Sequence, residues 1–322
     1  MLNHIYKRFR TIANVEALRG RCKCLLVASK FYVASLCIGS VILAACSSNS
    51  ADSRLSIAVS IPPQASLLKE IAGDSVDVVT LLRPDSNPET FEISVNDMRA
   101  IHNCDAYFLI GNLPFEGALV DKIKQTAYDV EFVDNSQGIE PIYGTHDHCH
   151  HSHGEVGGHS HHNVADPHTW SSVGNLKIVA ANMLNALEAL SPQHADYFRA
   201  NYKQLSHRLD SLDDAFAERL APLSGKAFLI WHPSLSYFAR DYQLQQIAVG
   251  QENKDMSVRQ FQSQIDQAEC NDVAICFVQK NFDSSQAENI IRQLNAKVVE
   301  INPLDSDWQR QLEIVVDALA GE

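Results

Sequence analysis

HADYFRANYKQLSHRLDSLDDAFAERLA, residues 194–221, contains neither Gly nor Pro. Phe198, Tyr202, Leu205, Leu209, Leu212, Phe216 and Leu220 recur along it at helical spacing and leave one apolar stripe on a charged cylinder. Ser191-Pro192 just before it reads as a stop and restart, with Ser as N-cap and Pro in the first turn. At about 1.5 Å per residue this helix is about 40 Å long, enough to run the length of a domain or two. A helix of that length near the middle of a 322-residue chain predicts a connector between two bodies.

Both flanks support this. Before it, β-like LSIAVS (55–60), VDVVTLL (76–82), DAYFLIGN (105–112) and a strand near 129–133 alternate with helical segments at 65–73, 95–103 and 115–127. Val173, Leu176, Ala180, Met183, Leu187 and Leu190 mark one further helical face. After the long helix come strands at 226–231, 242–249, 273–279 and 297–301, with helices near 234–240, 257–268, 284–295 and 307–319. Alternating strands and helices predict parallel sheets covered by helices. The expected fold is α/β with two lobes, 55–193 and 223–322, each a mostly parallel sheet with flanking helices. The backbone helix of 194–222 joins them.

The first 45 residues are read as targeting sequence. Basic residues extend to Lys30, and the apolar run FYVASLCIGSVILAAC (31–46) follows. It is short for a membrane span and suits a signal-peptide core. The alternative is an uncleaved anchor helix. The stretch before Lys30 is long for a leader, which suggests a start codon further in. Seven of the 26 basic residues but one of the 39 acidic ones fall in the first 45 residues. The remaining chain therefore carries 19 basic against 38 acidic residues, a surface that repels nucleic acid and favours cations. Of the eight cysteines, Cys104, Cys149, Cys270 and Cys276 lie beyond Cys46 and form no CxxC pair, which disfavours a cysteine zinc site. Cys104 and Cys276 sit in apolar segments and are expected to be buried thiols.

Residues 146–170 read HDHCHHSHGEVGGHSHHNVADPHTW. His146, His148, His150, His151, His153, His159, His161 and His162 form a polar tract with no means of building an apolar core. It reads as an accessory metal-collecting loop, divided near Asn163 from the ordered DPHTW. A tag would explain the composition, but the internal position and irregular spacing argue against one. Four Pro-stiffened motifs follow or lie beyond strand ends, where α/β sheets place their ligand crevices: NPETFE (87–92), DPHTW (166–170), WHPS (231–234) and NPLDSD (302–307).

In this order, with the His-rich tract, VNDMRAI, the long helix and WHPSLSYFARDYQL, these motifs resemble the ZnuA/TroA-like solute-binding lipoproteins of ABC transporters that deliver zinc or manganese. The resemblance covers nearly all of the chain after residue 55. It implies two lobes on a rigid helix, a cation in the cleft between them, and docking on a membrane permease. It also implies that His168 and His232 are metal ligands. Glu89 stands where the family usually has histidine. A carboxylate completes a two-His, one-carboxylate set and hardens it. For the fourth ligand, Asp305 is preferred and Asn302 is the alternative; a water or a loop histidine would serve equally. Glu92 is expected to cap the next helix or orient a ligand. Leu43-Ala44-Ala45-Cys46 resembles a lipobox, which implies cleavage of 1–45, lipidation of Cys46, and a linker over 46–54.

Zn2+ is the expected cargo, with Mn2+ or Fe2+ less favoured and copper and nickel allowed by affinity order. The expected protein is a monomer, anchored outside the cytoplasm by lipid, with an ABC permease as partner. A secreted zinc-dependent hydrolase is the alternative from another class. HExxH, GxSxG and P-loop patterns are absent from the sequence, so capture is favoured over catalysis. A surface metal sponge or adhesin is a third.

Overall fold

The computed structural model describes residues 54–126, 129–143, 165–250, 258–279 and 296–321. The targeting segment, the His-rich tract with Cys149, and the helix expected near 284–295 lie outside them.

The first sheet is built from β1 (Leu55–Val59), β2 (Val76–Thr80), β3 (Ala106–Leu109) and β4 (Glu131–Asp134), in the order β2-β1-β3-β4 and parallel throughout. Strands buried on both faces read as continuous apolar runs, and Ile57, Ala58 and Val59 are fully buried. The crossovers are α1 (Pro62–Ala72), α2 (Val95–His102) and α3 (Pro114–Lys124). Pro62-Pro63 both ends the strand and opens α1, where the missing N–H costs nothing. Ser94 and Asp97 form a reciprocal capping box on α2, so the exposed Glu92 does not cap it.

The second sheet repeats the first. It holds β5 (Ala227–Ile230), β6 (Gln245–Ala248), β7 (Ile275–Gln279) and β8 (Lys297–Ile301), in the order β6-β5-β7-β8 and again parallel. Phe228 and Ile230 face the large core, whereas Leu229 faces a smaller cluster with Ile247, Ile265 and Cys276. That alternation lets the sheet carry helices on both sides.

Between the sheets run α4 (Val173–Leu190) and α5 (Ala195–Leu220), the latter 26 residues long. The stripe read from the sequence is the face α5 buries: Phe198, Leu205, Leu209, Phe216 and Leu220 are at most 2% exposed. Tyr202 and Leu212 pack at the edge of the same core. On one side α5 lies on α1, where Asn201 Nδ2 donates to Ile71 O (3.0 Å) and Arg208 pairs with Glu70. Towards its other end it meets α8 (Trp308–Ala320), with Arg219 pairing with Asp317 (3.0 Å). The two remaining helices of the second lobe are α6 (Ser236–Asp241) and α7 (Val258–Cys270). Cys104 and Cys276 are buried, and burial pushes the Cys276 thiol up to about 11. Among the described residues no helix is long and apolar enough to cross a membrane.

Candidate metal centre

Three loops at the ends of the strands meet between the sheets. The first leaves β2. Leu81 and Leu82 still donate to Val59 O and Ser60 O (both 3.0 Å), so the loop departs from a fixed point. Its Asn87 side chain accepts from Glu89 N (2.9 Å), an Asx turn that sets the backbone at Glu89. The Glu89 carboxylate ends 5% exposed.

The second loop carries DPHTW between β4 and α4. Asp166 Oδ1 accepts from both His168 N and His168 Nδ1, each at 2.8 Å. With its Nδ1 edge held by that carboxylate, His168 turns Nε2 to the opposite side, 3.0 Å from His232 Nε2. Asp166 O accepts from Tyr237 OH (2.8 Å), so α6 in the other lobe braces the same turn. Burial opposes ionisation of Asp166, but its bonds to His168 and the His168 charge outweigh that and hold the carboxyl below its usual range. Ser172 caps α4 and hydrogen-bonds Asp241, while Arg240 donates to Glu140 O (2.9 Å) and Asn175 Oδ1 (3.3 Å).

The third loop leaves β5. Trp231 N donates to Phe277 O (2.9 Å), and Gly250 N donates to Trp231 O (2.8 Å). A Cβ at Gly250 would lie 2.7 Å from Trp231 O and 3.1 Å from its ring, so only glycine lets the neighbouring strand end pack here. His232 follows, 5% exposed. Burial lowers its pKa, the Glu89 hydrogen bond opposes this, and the His168 charge reinforces it; the net direction is down.

The structure therefore brings Glu89, His168 and His232 together, from three separate stretches of the chain. One ligand atom from each lies within 4.8 Å of the others. His232 Nε2 is 3.0 Å from His168 Nε2 and 3.0 Å from Glu89 Oε1, and His168 Nε2 is 3.9 Å from Glu89 Oε1. Tetrahedral zinc with bonds of about 2.0–2.1 Å separates its ligand atoms by about 3.3 Å. The observed spacings bracket that value, so the donor set fits a small divalent ion with little movement. A cation there would replace the proton of the Glu89–His232 hydrogen bond and draw an electron pair from each of the three groups.

Asp305 does not join this group. Its Oδ1 accepts from Asp307 N (2.9 Å), and its backbone N–H donates to Asn302 O (3.0 Å), so it braces its own loop. Asn302 lines the cleft, as does Gln279 at the end of β7. Of the helical histidines, His102 and His207 are exposed and His194 is half-buried. Sequence reading assigned no role to Asp166, although an Asp two residues before a histidine is the spacing of an Asx turn. Gln279 carried no signal at all.

Residues 57–320 match the family model "Zinc-uptake complex component A periplasmic". The chain belongs to this family. It is similar to a crystal structure of ZnuA, with 32% identity, a TM-score of 0.73, and coverage of 83% of this chain and 98% of that one. A ZnuA deletion mutant with zinc bound matches at 32% identity and a TM-score of 0.72, over 83% and 96% of the two chains. Among curated relatives, the "Zinc-binding lipoprotein AdcA" of Streptococcus pneumoniae is 29% identical over 282 residues, 85% of this chain and 54% of the relative. The chain thus spans about half the length of the first curated relatives it matches. A "Putative metal-binding protein" of Chlamydia muridarum is 25% identical over 82% of this chain and 90% of its own.

Proposed function

We propose that the chain is the extracytoplasmic zinc receptor of an ABC metal-uptake transporter. It captures the ion in the cleft between its lobes and hands it to a membrane permease. The convergence of Glu89, His168 and His232 on one buried point is the observation that carries this reading. Membership of the zinc-uptake family and likeness to a zinc-bound ZnuA support it. Glu89 Oε1 and the Nε2 atoms of His168 and His232 are the ligand atoms, and Asp166 orients His168.

The process is capture, not catalysis. Binding displaces protons from the imidazoles, and the two lobes hold the ion in the dry cleft until the permease receives it. Residues 1–45 serve as signal peptide, Cys46 carries lipid, and 46–54 link the anchor to the lobes of 55–193 and 223–322 on the helix of 194–222. A lipoprotein among the relatives agrees with that anchor. The loop of 146–162 gathers ions near the cleft. Glu89 favours a second cargo, manganese, because a carboxylate hardens the site.

Competition titration with a chromophoric chelator tests the reading. One tight zinc site is expected on the full chain, lost in His232→Ala, with manganese bound more weakly. A wild-type chain without a tight site would sink the receptor reading; ester or peptide turnover that depends on His168 would replace it with the hydrolase.

A further inference from the structure

Two neutral amides line the C-terminal wall of the cation cleft, Gln279 at the end of β7 and Asn302 just past β8. Their hydrogen bonds turn them in opposite senses. Asn302 Oδ1 accepts from Leu304 N (3.1 Å), so its carbonyl oxygen is turned to its own loop. Gln279 Nε2 donates to Ser234 Oγ (2.9 Å), a fully buried hydroxyl. Ser234 N in turn donates to His232 O (2.7 Å), so the segment that positions His232 also holds Gln279. An amide carries its acceptor and its donors on opposite sides. With Nε2 held at Ser234, Oε1 is the group Gln279 has left for the cleft. Of the two carbonyl oxygens on this wall, that of Asn302 is turned to its own loop, whereas that of Gln279 lies on the side of its amide away from Ser234.

We propose that Gln279 determines cation preference at this site. Its carbonyl oxygen closes the fourth position left by Glu89, His168 and His232. Its neutrality keeps the loaded centre to one carboxylate and a net charge of about +1 for a divalent ion. The inference rests on the receptor reading above and extends it to which ion is preferred. Oxygen ligands suit manganese and imidazoles suit zinc. A second carboxylate at 279 would neutralise the centre and move its preference towards the harder ion.

The test uses the full chain and the variants Gln279→Ala and Gln279→Glu, with zinc and manganese competition titrations and the visible spectrum of the Co2+-loaded protein. Gln279→Ala is expected to weaken zinc about tenfold and to change the position and intensity of the Co2+ bands. Gln279→Glu, which keeps an acceptor there, is expected to recover zinc binding and shift the zinc-to-manganese preference about tenfold towards manganese. Wild-type spectra and affinities in both variants would overturn the proposal. So would a spectral change that follows Asn302→Ala and not Gln279→Ala. If the wild type itself bound neither Co2+ nor zinc, the receptor reading would fall, and this inference with it.

Discussion

Two buried glutamates, Glu116 and Glu89, sit in opposite surroundings. Glu116, on α3, is 4% exposed and is met by donors. Ile110 N donates to its Oε1 and Gly111 N to its Oε2, both at 2.9 Å, and Ser60 Oγ donates to Oε1. Ser60 Oγ also hydrogen-bonds Tyr107 OH (2.8 Å). Glu89 is met by two imidazoles, one of which has its Nδ1–H committed to Asp166. Burial of a carboxylate therefore does not mark a binding site. The kind of neighbour does: backbone and hydroxyl donors make a structural brace, and imidazole nitrogens that can themselves ligate make a seat for a cation.

Replacement of a ligand gives the largest expected separation between the two. His232→Ala should weaken zinc by more than about 100-fold, beyond the 10–100-fold that loss of an outer partner costs. Competition titration checks this. Melting temperature of the metal-free protein should change much less, because the same variant removes a crowded buried imidazole. In wild type, zinc affinity should fall with acid as protons compete for the imidazoles. Burial holds His232 below the ordinary imidazole range, so this competition should set in at a lower pH than for free imidazole. The same titration repeated between pH 5 and pH 8 measures it.

Glu116→Gln should do the reverse, sparing zinc and costing stability. An amide NH2 placed against Gly111 N–H or Ser60 Oγ–H loses about 1–3 kcal/mol. The variant should also flatten a pH dependence. Burial pushes Glu116 up to about 7 against the pull of Ser60, Ile110 and Gly111, with the Asp134 charge adding to the rise. The folded state therefore holds the proton more tightly than the unfolded chain, whose carboxyl titrates near ~4.3. That contribution is fully present below ~4.3 and is lost as pH rises through about 7. Melting curves of metal-free wild type and variant across that window measure it. Zinc affinity that fell with Glu116→Gln as far as with a ligand variant would break the distinction between brace and seat.

Between these extremes lies Asp166→Ala. It leaves all three ligands in place but frees His168 to turn and to change tautomer. A 10–100-fold loss of zinc affinity is expected by titration, with little change in melting temperature.

The two-sheet architecture and its long helix were legible in the sequence. The apolar stripe on 195–220 and the strand runs carry periods that mark which faces must be buried, and those faces are the buried ones. Parallel strands end on one side of a sheet, so the loops after β2 and β5 each had to leave the C-terminal edge of its own sheet, and the structure sets those two edges and DPHTW around one cleft. What escaped notice depended on orientation. Asp305 has a better ligand type than Asn302, yet its short loop consumes the carboxylate in bracing Asp307 N. Gln279 has no distinctive chemistry until Ser234 claims its nitrogen. Glu116 reads as one more helix carboxylate until β1 and β3 place three donors around it.

The smallest expected effect comes from deleting 146–162, which holds eight of the chain's fourteen histidines. Number of ligands and quality of a site are different properties. Any ordering that an ion imposes on its ligands as it binds subtracts from affinity. Glu89, His168 and His232 meet that cost once, on folding, through Asn87, Asp166 and the strand ends that hold them. The deletion variant should therefore bind fewer zinc ions in total, or load more slowly at scarce zinc, while its one tight site keeps the wild-type affinity. Titration to saturation and stopped-flow loading read the two quantities separately. A deletion variant without its tight site would mean that the histidine tract, not the preorganised trio, is the seat of the cation.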